Sequence, residues 1–441
     1  MLTNKKKWHE IKINKKDGRI YHYLSHSYRE NKMVKNERKL IGVTGVDGKF
    51  RKSKTHPSNY KTIREYGQIL LLGNLVEQCG LHKCLRIAFP DITNELLCCV
   101  YFCIISNMNL SNIQSWMENY LLPFNVDLSS QRVSLLKKMI NEERIMEFLK
   151  IWSKRKQENE YLAYDTTSIS TYSNNIEEAE FGFNKDYDDM KQINLALLSS
   201  YSTGVPYFYR IINGSIRDVS TLTNLIKYTD HINLKNVKLV MDRGFYKYSN
   251  ISLLNTNKIN FIMGLPFSNL TAKSLVDSVL NEIGNPDNYF RINKKEMCYV
   301  ITRSIKIEEE TLIAHIYLDK VKKIQLEENF MADIDTYRTL NKDKLWSDLS
   351  PDGMRKYFVQ TSNHRLGEIN QFLIKEHLRY RGYFILITNH EKDAVKSLQI
   401  YRNKDCVEKD FQNLKSTLSF DRIRTHNSDT TIGRIFIAFL T

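Results

Sequence analysis

The chain has 441 residues, 42% hydrophobic and 26% charged. That length allows two or three domains at ~100–200 residues each, and the composition excludes a disordered chain. The longest apolar run, residues 96–105, is shorter than the ~20 residues a membrane span needs. Lys5, Lys6 and Lys7 are followed by no apolar signal core, so a cytoplasmic protein without membrane contact is expected. Seven cysteines, none in a CxxC pair, sit mostly among apolar residues and are expected to be reduced thiols.

The net charge is +15, and its distribution says more than its size. Residues 1–64 hold 18 Lys and Arg against 5 Asp and Glu, so most of the excess resides there. Such a segment attracts polyanions, nucleic acid first among them. An anionic membrane is the alternative, but no amphipathic helix accompanies the charges. Residues 18–27 and 33–42 flank Glu30-Asn31-Lys32 and read as a hairpin, Asp47-Gly48 marks a further turn, and a basic linker ends near Pro57. Residues 1–62 are therefore expected to form a basic β-hairpin arm that binds DNA.

From residue 63 the pattern turns helical. Leu70, Leu71, Leu75 and Val76 recur at helical spacing, and residues 95–106, 111–120 and 130–140 continue it, with Ser129 or Ser130 as a cap. A helical DNA-binding domain over 63–155 follows. Residues 161–170 then read as a strand, 192–201 and 205–212 as two strands joined by Ser202-Thr203-Gly204, 218–230 as a helix, 237–241 as a short strand, 248–255 as a helix and 261–265 as a buried strand. Three meander strands followed by alternating helices and strands describe an α/β layer fold of ribonuclease H type. Its first part is expected over 156–266. Residues 267–381 read as a β-rich insertion, and 382–441 as the second part of the core. That second part contains a strand at 383–388, one long helix over 393–418 and an apolar helix from 432. The chain stops inside this last helix, which reads as a C-terminal truncation.

Three acidic residues fit this framework. The strands deliver Asp165 and Asp242 at their ends, where ligand sites in α/β folds gather. Singly, each Asp also fits a turn or a helix cap. On the helix over 393–418, Tyr401, Lys404, Glu408 and Lys415 fall within a sector of roughly 60°. Ile400, Val407, Phe411, Leu414 and Leu418 form the neighbouring stripe. The apolar stripe can pack on a sheet while the polar one faces the two aspartates, although a solvated face reads the same way. Three carboxylates suit hard divalent cations, and two such ions can activate a nucleophile and stabilise a leaving oxygen in phosphodiester cleavage. Lys404 and Lys415 would hold flanking phosphates, and Tyr401 a phosphate or a base.

These residues resemble the DDE transposases of bacterial insertion sequences, in the large group named for its YREK signature. The signature reads here as Tyr401-x2-Lys404-x3-Glu408-x6-Lys415, with Lys in place of Arg. Tyr164-Asp165-Thr166-Thr167 and Met241-Asp242-Arg243-Gly244-Phe245 look like the first and second Asp motifs. The resemblance covers about residues 160–430. It implies a ribonuclease H-like catalytic core with a β insertion before the glutamate. Asp165, Asp242 and Glu408 would be the catalytic residues, binding two Mg²⁺ ions or Mn²⁺ as a substitute. Arg243, Tyr401, Lys404 and Lys415 would contact DNA. It further implies a homodimer in a bacterial cytoplasm, acting on double-stranded DNA at terminal inverted repeats. Each end would be nicked, closed as a hairpin, reopened and joined to target DNA. Lys404 keeps the charge but lacks the planar fork of arginine, so weaker positioning of the DNA end is expected.

Trp346, the insertion's tryptophan, is a candidate for stacking on a flipped base, and equally a local core residue. The acidic groups Glu308-Glu309-Glu310 and Asp186, Asp188 and Asp189 read as turns or solvated faces. Three other functions stay open. One is a related chain that binds DNA without transposing it. Another is a metal-independent carboxylate-pair hydrolase such as a glycosidase, in which the basic arm would be idle. The third is a DNA-binding regulator, for which no helix-turn-helix is evident.

Overall fold

The computed structural model describes residues 9–30, 33–53, 63–106, 108–183, 189–228, 236–292, 297–350 and 353–441. Lys5–Lys7, the hairpin turn at Asn31-Lys32, the linker near Pro57, Asp186 and Asp188 lie outside these residues. The backbone divides into two compact units, one of residues 1–66 with 118–121 and one of the remainder.

The first unit is an antiparallel sheet in the order β1 (His9–Asn14), β2 (Ile20–Glu30), β3 (Met33–Thr44) and β4 (Phe50–Lys52). Two Asp-Gly turns make its outer connections. Asp17 and Asp47 accept the backbone N–H two residues on, at 3.1 and 3.2 Å. Gly18 and Gly48 take the left-handed conformation at φ +78° and +70°, which costs a glycine no steric penalty. The sequence pattern identified the β2–β3 hairpin; β1 and β4 extend it on both edges.

The second unit begins with the helices α1 (Gly67–Gln78), α2 (Leu81–Ala88), α3 (Thr93–Ile105), α4 (Ile113–Asn119), α5 (Ser130–Met139) and α6 (Glu142–Trp152). Ser129 caps α5 by accepting from the Arg132 N–H at 3.3 Å, and Asn141 caps α6 at 3.0 Å. The apolar run in α3 is buried from Leu96 to Cys103. No single described helix is long and apolar enough to cross a membrane.

A mixed sheet follows. Its strands are β5 (Tyr161–Thr171), β6 (Gln192–Ser200) and β7 (Pro206–Asn213), then, after α7 (Asp218–Lys227), β8 (Lys238–Met241). After α8 (Tyr248–Thr256) comes β9 (Asn260–Gly264). The strands β5, β6 and β7 form an antiparallel meander, and β8 and β9 run parallel to β5 on its other side, giving the order β7-β6-β5-β8-β9.

The segment expected to be β-rich is only partly so. After α9 (Leu270–Asp277), β10 (Tyr289–Arg291), β11 (Met297–Ile307) and β12 (Glu310–Leu318) extend the central sheet. Then come α10 (Lys320–Asn341), the small pair β13 (Phe358–Gln360) and β14 (Leu366–Ile369), and α11 (Gln371–Leu378). These close over a separate core of Phe330, Ile334, Tyr357, Phe358 and Ile374. Strand β15 (Tyr383–Thr388) returns to the sheet between β9 and β12.

The single long helix expected over 393–418 is two helices, α12 (Ala394–Arg402) and α13 (Asp405–Gln412), with a wider helical turn at Asn413–Thr417. At the junction the N–H groups of Lys404, Cys406 and Val407 bond three residues back instead of four, a local tightening of the helix. The short strand β16 (Arg422–Ile423) pairs with β5, and α14 (Ser428–Leu440) packs on α3, α5 and β7. This last helix joins the helical segment to the sheet, so the two are one unit rather than separate domains.

Gly433 marks the closest approach in that joint, because a Cβ there would collide with the backbone of Lys137 in α5. In an exposed helix Gly→Ala stabilises by ~1 kcal/mol. Here Gly433→Ala is expected to destabilise instead, by ~1–3 kcal/mol through overpacking. Urea unfolding followed by circular dichroism checks the sign.

Candidate active site

Parallel pairing of β5 with β8 sets Tyr164 against Met241, so Asp165 and Asp242 occupy equivalent positions one residue further on. Neighbouring strands lie ~4.8 Å apart, and residues in register share a face. The two carboxylates therefore start side by side, on the face carrying Ala163 and Val240. Strand β8 stops at Met241, whereas β5 runs on to Thr171 and meets β16 only at Ser170 and Thr171. Asp165 thus lies inside β5 rather than at its end as expected, where that strand passes the end of its shorter neighbour, at a half-buried position.

The helices cover this face. Helix α12 packs on β8 and β9, and α13 on β5 and β6, so their junction at Asn403-Lys404 lies over the step from β8 to β5. Just before it, the Tyr401 hydroxyl donates to Asp242 Oδ1 at 2.7 Å. Gly264, the last residue of β9, makes room for this contact: a Cβ there would stand 3.0 Å from the Tyr401 oxygen. At the junction, Lys404 is 7% exposed, and its Nζ donates to Glu408 Oε1 at 2.5 Å. Glu408 itself is more than half exposed on α13.

The charges are mutually adjusted. Burial pushes the Asp242 carboxyl upward, but the Tyr401 hydroxyl and the Lys404 charge outweigh it and hold Asp242 below the usual carboxylate range. Burial likewise opposes the Lys404 charge. The bond to Glu408 and the charges of Asp242 and Asp165 overcome that and raise Lys404 above the ordinary lysine value. Burial, then the Asp242 charge, raises the Tyr401 hydroxyl, which stays a donor.

The buried Lys404 ammonium is thus bonded to Glu408 and feels the charges of Asp242 and Asp165. Among the described residues no three His, Cys, Asp or Glu side chains form a ready cage for a metal ion. The donor set is right for a hard cation, all carboxylate oxygen, but one Glu408 oxygen is engaged by Lys404. Fit requires Glu408 to leave that lysine, which its exposure allows.

Arg243 is exposed in the turn just after Asp242, and Lys415 is half-buried in the wide turn after α13. Trp346 stands apart: it packs against the insertion's own core, with the Arg355 guanidinium 4.5 Å from its ring centroid. Two contributors were not singled out from the sequence. One is Gly264. The other is Asp218, at the start of α7, which accepts from the Thr166 hydroxyl and so ties α7 to the residue after Asp165.

A sequence profile described as the transposase DDE domain matches residues 156–441, and the chain belongs to that family. No curated protein matches the chain. Among solved structures it is similar to a piggyBac transposase synaptic complex with hairpin DNA, at 7% identity and TM-score 0.39, over 77% of this chain and 63% of that one. It is also similar to a Mos1 transposase paired-end complex with the left transposon end, at 13% identity and TM-score 0.18, over 53% of this chain and 69% of that one. The chain therefore spans less than two thirds of the length of the piggyBac chain it matches.

The Tyr401–Asp242 bond gives a pH-dependent expectation. A hydrogen bond to a charged group contributes ~1.5–3 kcal/mol, so Tyr401→Phe should lower stability by about that amount at neutral pH. A depressed carboxyl contributes stability above its unfolded pKa of ~3.9 and loses it as pH falls through the folded value. The deficit of Tyr401→Phe should therefore shrink in acid. Denaturant unfolding at pH 7 and near pH 3 measures it, and an equal deficit at both would show that the hydroxyl does not act through Asp242.

Proposed function

We propose that this chain is a DNA transposase of the insertion-sequence type bearing the YREK signature. In this reading it cleaves transposon ends and joins them to target DNA with the help of divalent cations. The observation that carries the reading is the register that sets Asp165, inside β5, beside Asp242, just past the end of β8, with Tyr401 bonded to Asp242 and Lys404 to Glu408. Membership of the DDE family adds to it. The strand order β7-β6-β5-β8-β9, with three antiparallel strands followed by two parallel ones, supports a ribonuclease H-like core.

Asp165, Asp242 and Glu408 would hold the cations, Mg²⁺ with Mn²⁺ as a substitute, which supply positive charge to the attacking and leaving oxygens of a phosphodiester. The chain's own groups prepare that site. Tyr401 keeps Asp242 ionised and oriented. Lys404 neutralises the acidic cluster and, once Glu408 is withdrawn, is free to meet a phosphate as a point charge. Arg243, next to Asp242, and Lys415, in the wide turn after α13, would grip phosphates. Stacking of a base on Trp346 has less support, since Arg355 lies over the ring. Terminal inverted repeats and target DNA as substrates, and a dimer on paired ends, belong to the same reading.

One observation favours a second reading. The Lys404–Glu408 pair engages an oxygen that a cation would need, as expected of a relative that binds DNA without cutting it. Incubation with Mg²⁺ and a duplex carrying the inverted repeats that flank the gene separates the two. Nicking at the repeat ends, abolished by chelator, is the expected result. Binding without nicking would favour the second reading, and cleavage that persists in chelator would remove both. Loss of a residue behind a metal ligand already costs ~10–100-fold, so Asp242→Asn should lower cleavage by more than ~100-fold while duplex binding stays unchanged.

Lys404 also sets an expectation for metal binding. A unit charge ~4 Å from another is worth ~4 kcal/mol at an effective dielectric of 20. Lys404→Met keeps the side chain's length without its charge. It should therefore tighten Mn²⁺ binding by ~10-fold or more and lower the melting temperature in metal-free buffer. Titration calorimetry and thermal unfolding report the two effects, and weaker Mn²⁺ binding would show that Lys404 does not compete for the site.

A further inference from the structure

We infer that the pocket between α5, α14 and residues 419–425 binds one phosphate group through Lys137 and Arg434, and that this phosphate belongs to DNA lying beyond the cleavage site. The inference rests on the reading of the chain as a DNA-acting protein, and it adds a site apart from the three acids.

Close packing puts the two cations together. Lys137 is in the last turn of α5, and Arg434 is in α14. Gly433, beside Arg434, lets the α14 backbone come against the backbone of Lys137 itself. Both side chains are half-buried and line the same pocket, of about 290 Å³. Among the described residues no carboxylate lines it.

The neighbouring charges are committed, and these two are not. Arg424 lies 3.8 Å from Asp421, and Arg422 donates to the Tyr172 hydroxyl. Lys137 makes no hydrogen bond or ion pair among the described residues. Arg434 packs on the Phe420 ring, 4.6 Å from its centroid, and makes one weak bond, to Cys103 Sγ at 3.7 Å. Most of its N–H donors thus have no acceptor among the described residues. The end of α5 favours a cation at Lys137, but not a second one against it. Burial, then the Arg434 charge, hold Lys137 below the ordinary lysine value. Lys404, held among acids, goes the other way. Two like charges half out of water call for an anion.

A guanidinium fork beside a compact ammonium suits a phosphate. A base would need an open aromatic face on which to stack, and Phe420 is 3% exposed. Position points to DNA as the source. Leu195 and Leu197 of β6 stand opposite Thr167 and Asp165, and opposite residues point the same way. Those leucines line a groove together with Ile435 and Leu440 of α14, so α14 covers the face that carries Asp165. Arg422, in the pocket's lining, pairs with Ser170. Ser170 lies ~17 Å along β5 from Asp165. A DNA strand rises ~3.4 Å per nucleotide, so the phosphate held here would lie about five nucleotides from one at the acids.

The test uses the full chain, inorganic phosphate and a duplex of arbitrary sequence. Phosphate should raise the melting temperature by ~2 °C or more over chloride at equal ionic strength. Lys137→Met, with Lys137→Gln as a polar counterpart, should lose that response, and a cooperative melt shows that each variant folds. Lys138→Met, at the exposed next position of α5, should keep it. In duplex binding followed by fluorescence anisotropy, Lys137→Met should lower the slope of log affinity against log salt by about 0.9, one phosphate contact. A wild-type chain that phosphate does not stabilise, or equal stabilisation of the Lys137 variants, would overturn the site. A lost phosphate response with an unchanged salt slope would overturn DNA as the source, in favour of a free phosphate compound. A wild-type chain without salt-dependent duplex binding would overturn the DNA-acting reading beneath, while the phosphate measurement still judges the pocket.

Discussion

Crowding of like charge governs the site. Two carboxylates in register on adjacent strands, whose backbones lie ~5 Å apart, would repel by about 3 kcal/mol at that separation and an effective dielectric of 20, and a third acid is carried by α13. A fold that brings them together must supply compensation. Here it comes from the Tyr401 hydroxyl on Asp242 and from the ammonium of Lys404 among all three acids. Both come from the same short stretch of chain, and that stretch is where the helix breaks. With α12 seated on β8 and β9 and α13 on β5 and β6, the tightened turn between them carries the positive charge over the point where β5 passes β8.

The scaffold beneath is rigid for a local reason. Strand β5 is bonded along its length to β6, to β8 at its start and to β16 at its end. Asp165 lies in the short gap between the two latter partners, so its backbone is fixed on both sides while its side chain is not walled in by a neighbouring strand. Gly264 performs the complementary task on β9, where the missing Cβ lets Tyr401 descend to Asp242. The insertion is coupled to the same geometry, because β15 is both the sheet neighbour of β9 and the strand that leads into α12.

Much of this was legible in local pattern. The β-branched and aromatic run that contains Asp165, the short apolar strand before Asp242, and the Ser-Thr-Gly turn between β6 and β7 are strong local signals, and Gly204 does take φ +72°. What escaped depends on distant partners. Nothing in Arg402-Asn403-Lys404 marks a break, since neither glycine nor proline is present; the break follows from packing on different strand pairs. Helix α10 buries only Phe330, Ile334 and Asn341, too few for a visible stripe. The helical segment looked like a domain of its own because its packing partner, α14, lies at the far end of the sequence. Spacing puts Glu408 on the polar stripe with Tyr401 and Lys404, but it does not show that the Lys404 ammonium is buried where it meets Glu408.

Lys404 is the residue for which stability offers the weakest account. Withdrawing an ammonium from water costs several kcal/mol, and pairing it with carboxylates returns that only when the geometry is good; a well-packed apolar side chain would often serve as well. A lysine 7% exposed beside a glutamate that faces solvent is a poor bargain for the fold alone. It becomes reasonable if the acids are needed as acids. They must remain ionised and close together before any cation reaches them, and a movable ammonium achieves that without permanently closing the site. On that argument Lys404 is a holding charge for the acids around it. The compact, flexible ammonium suits that task better than a planar guanidinium would.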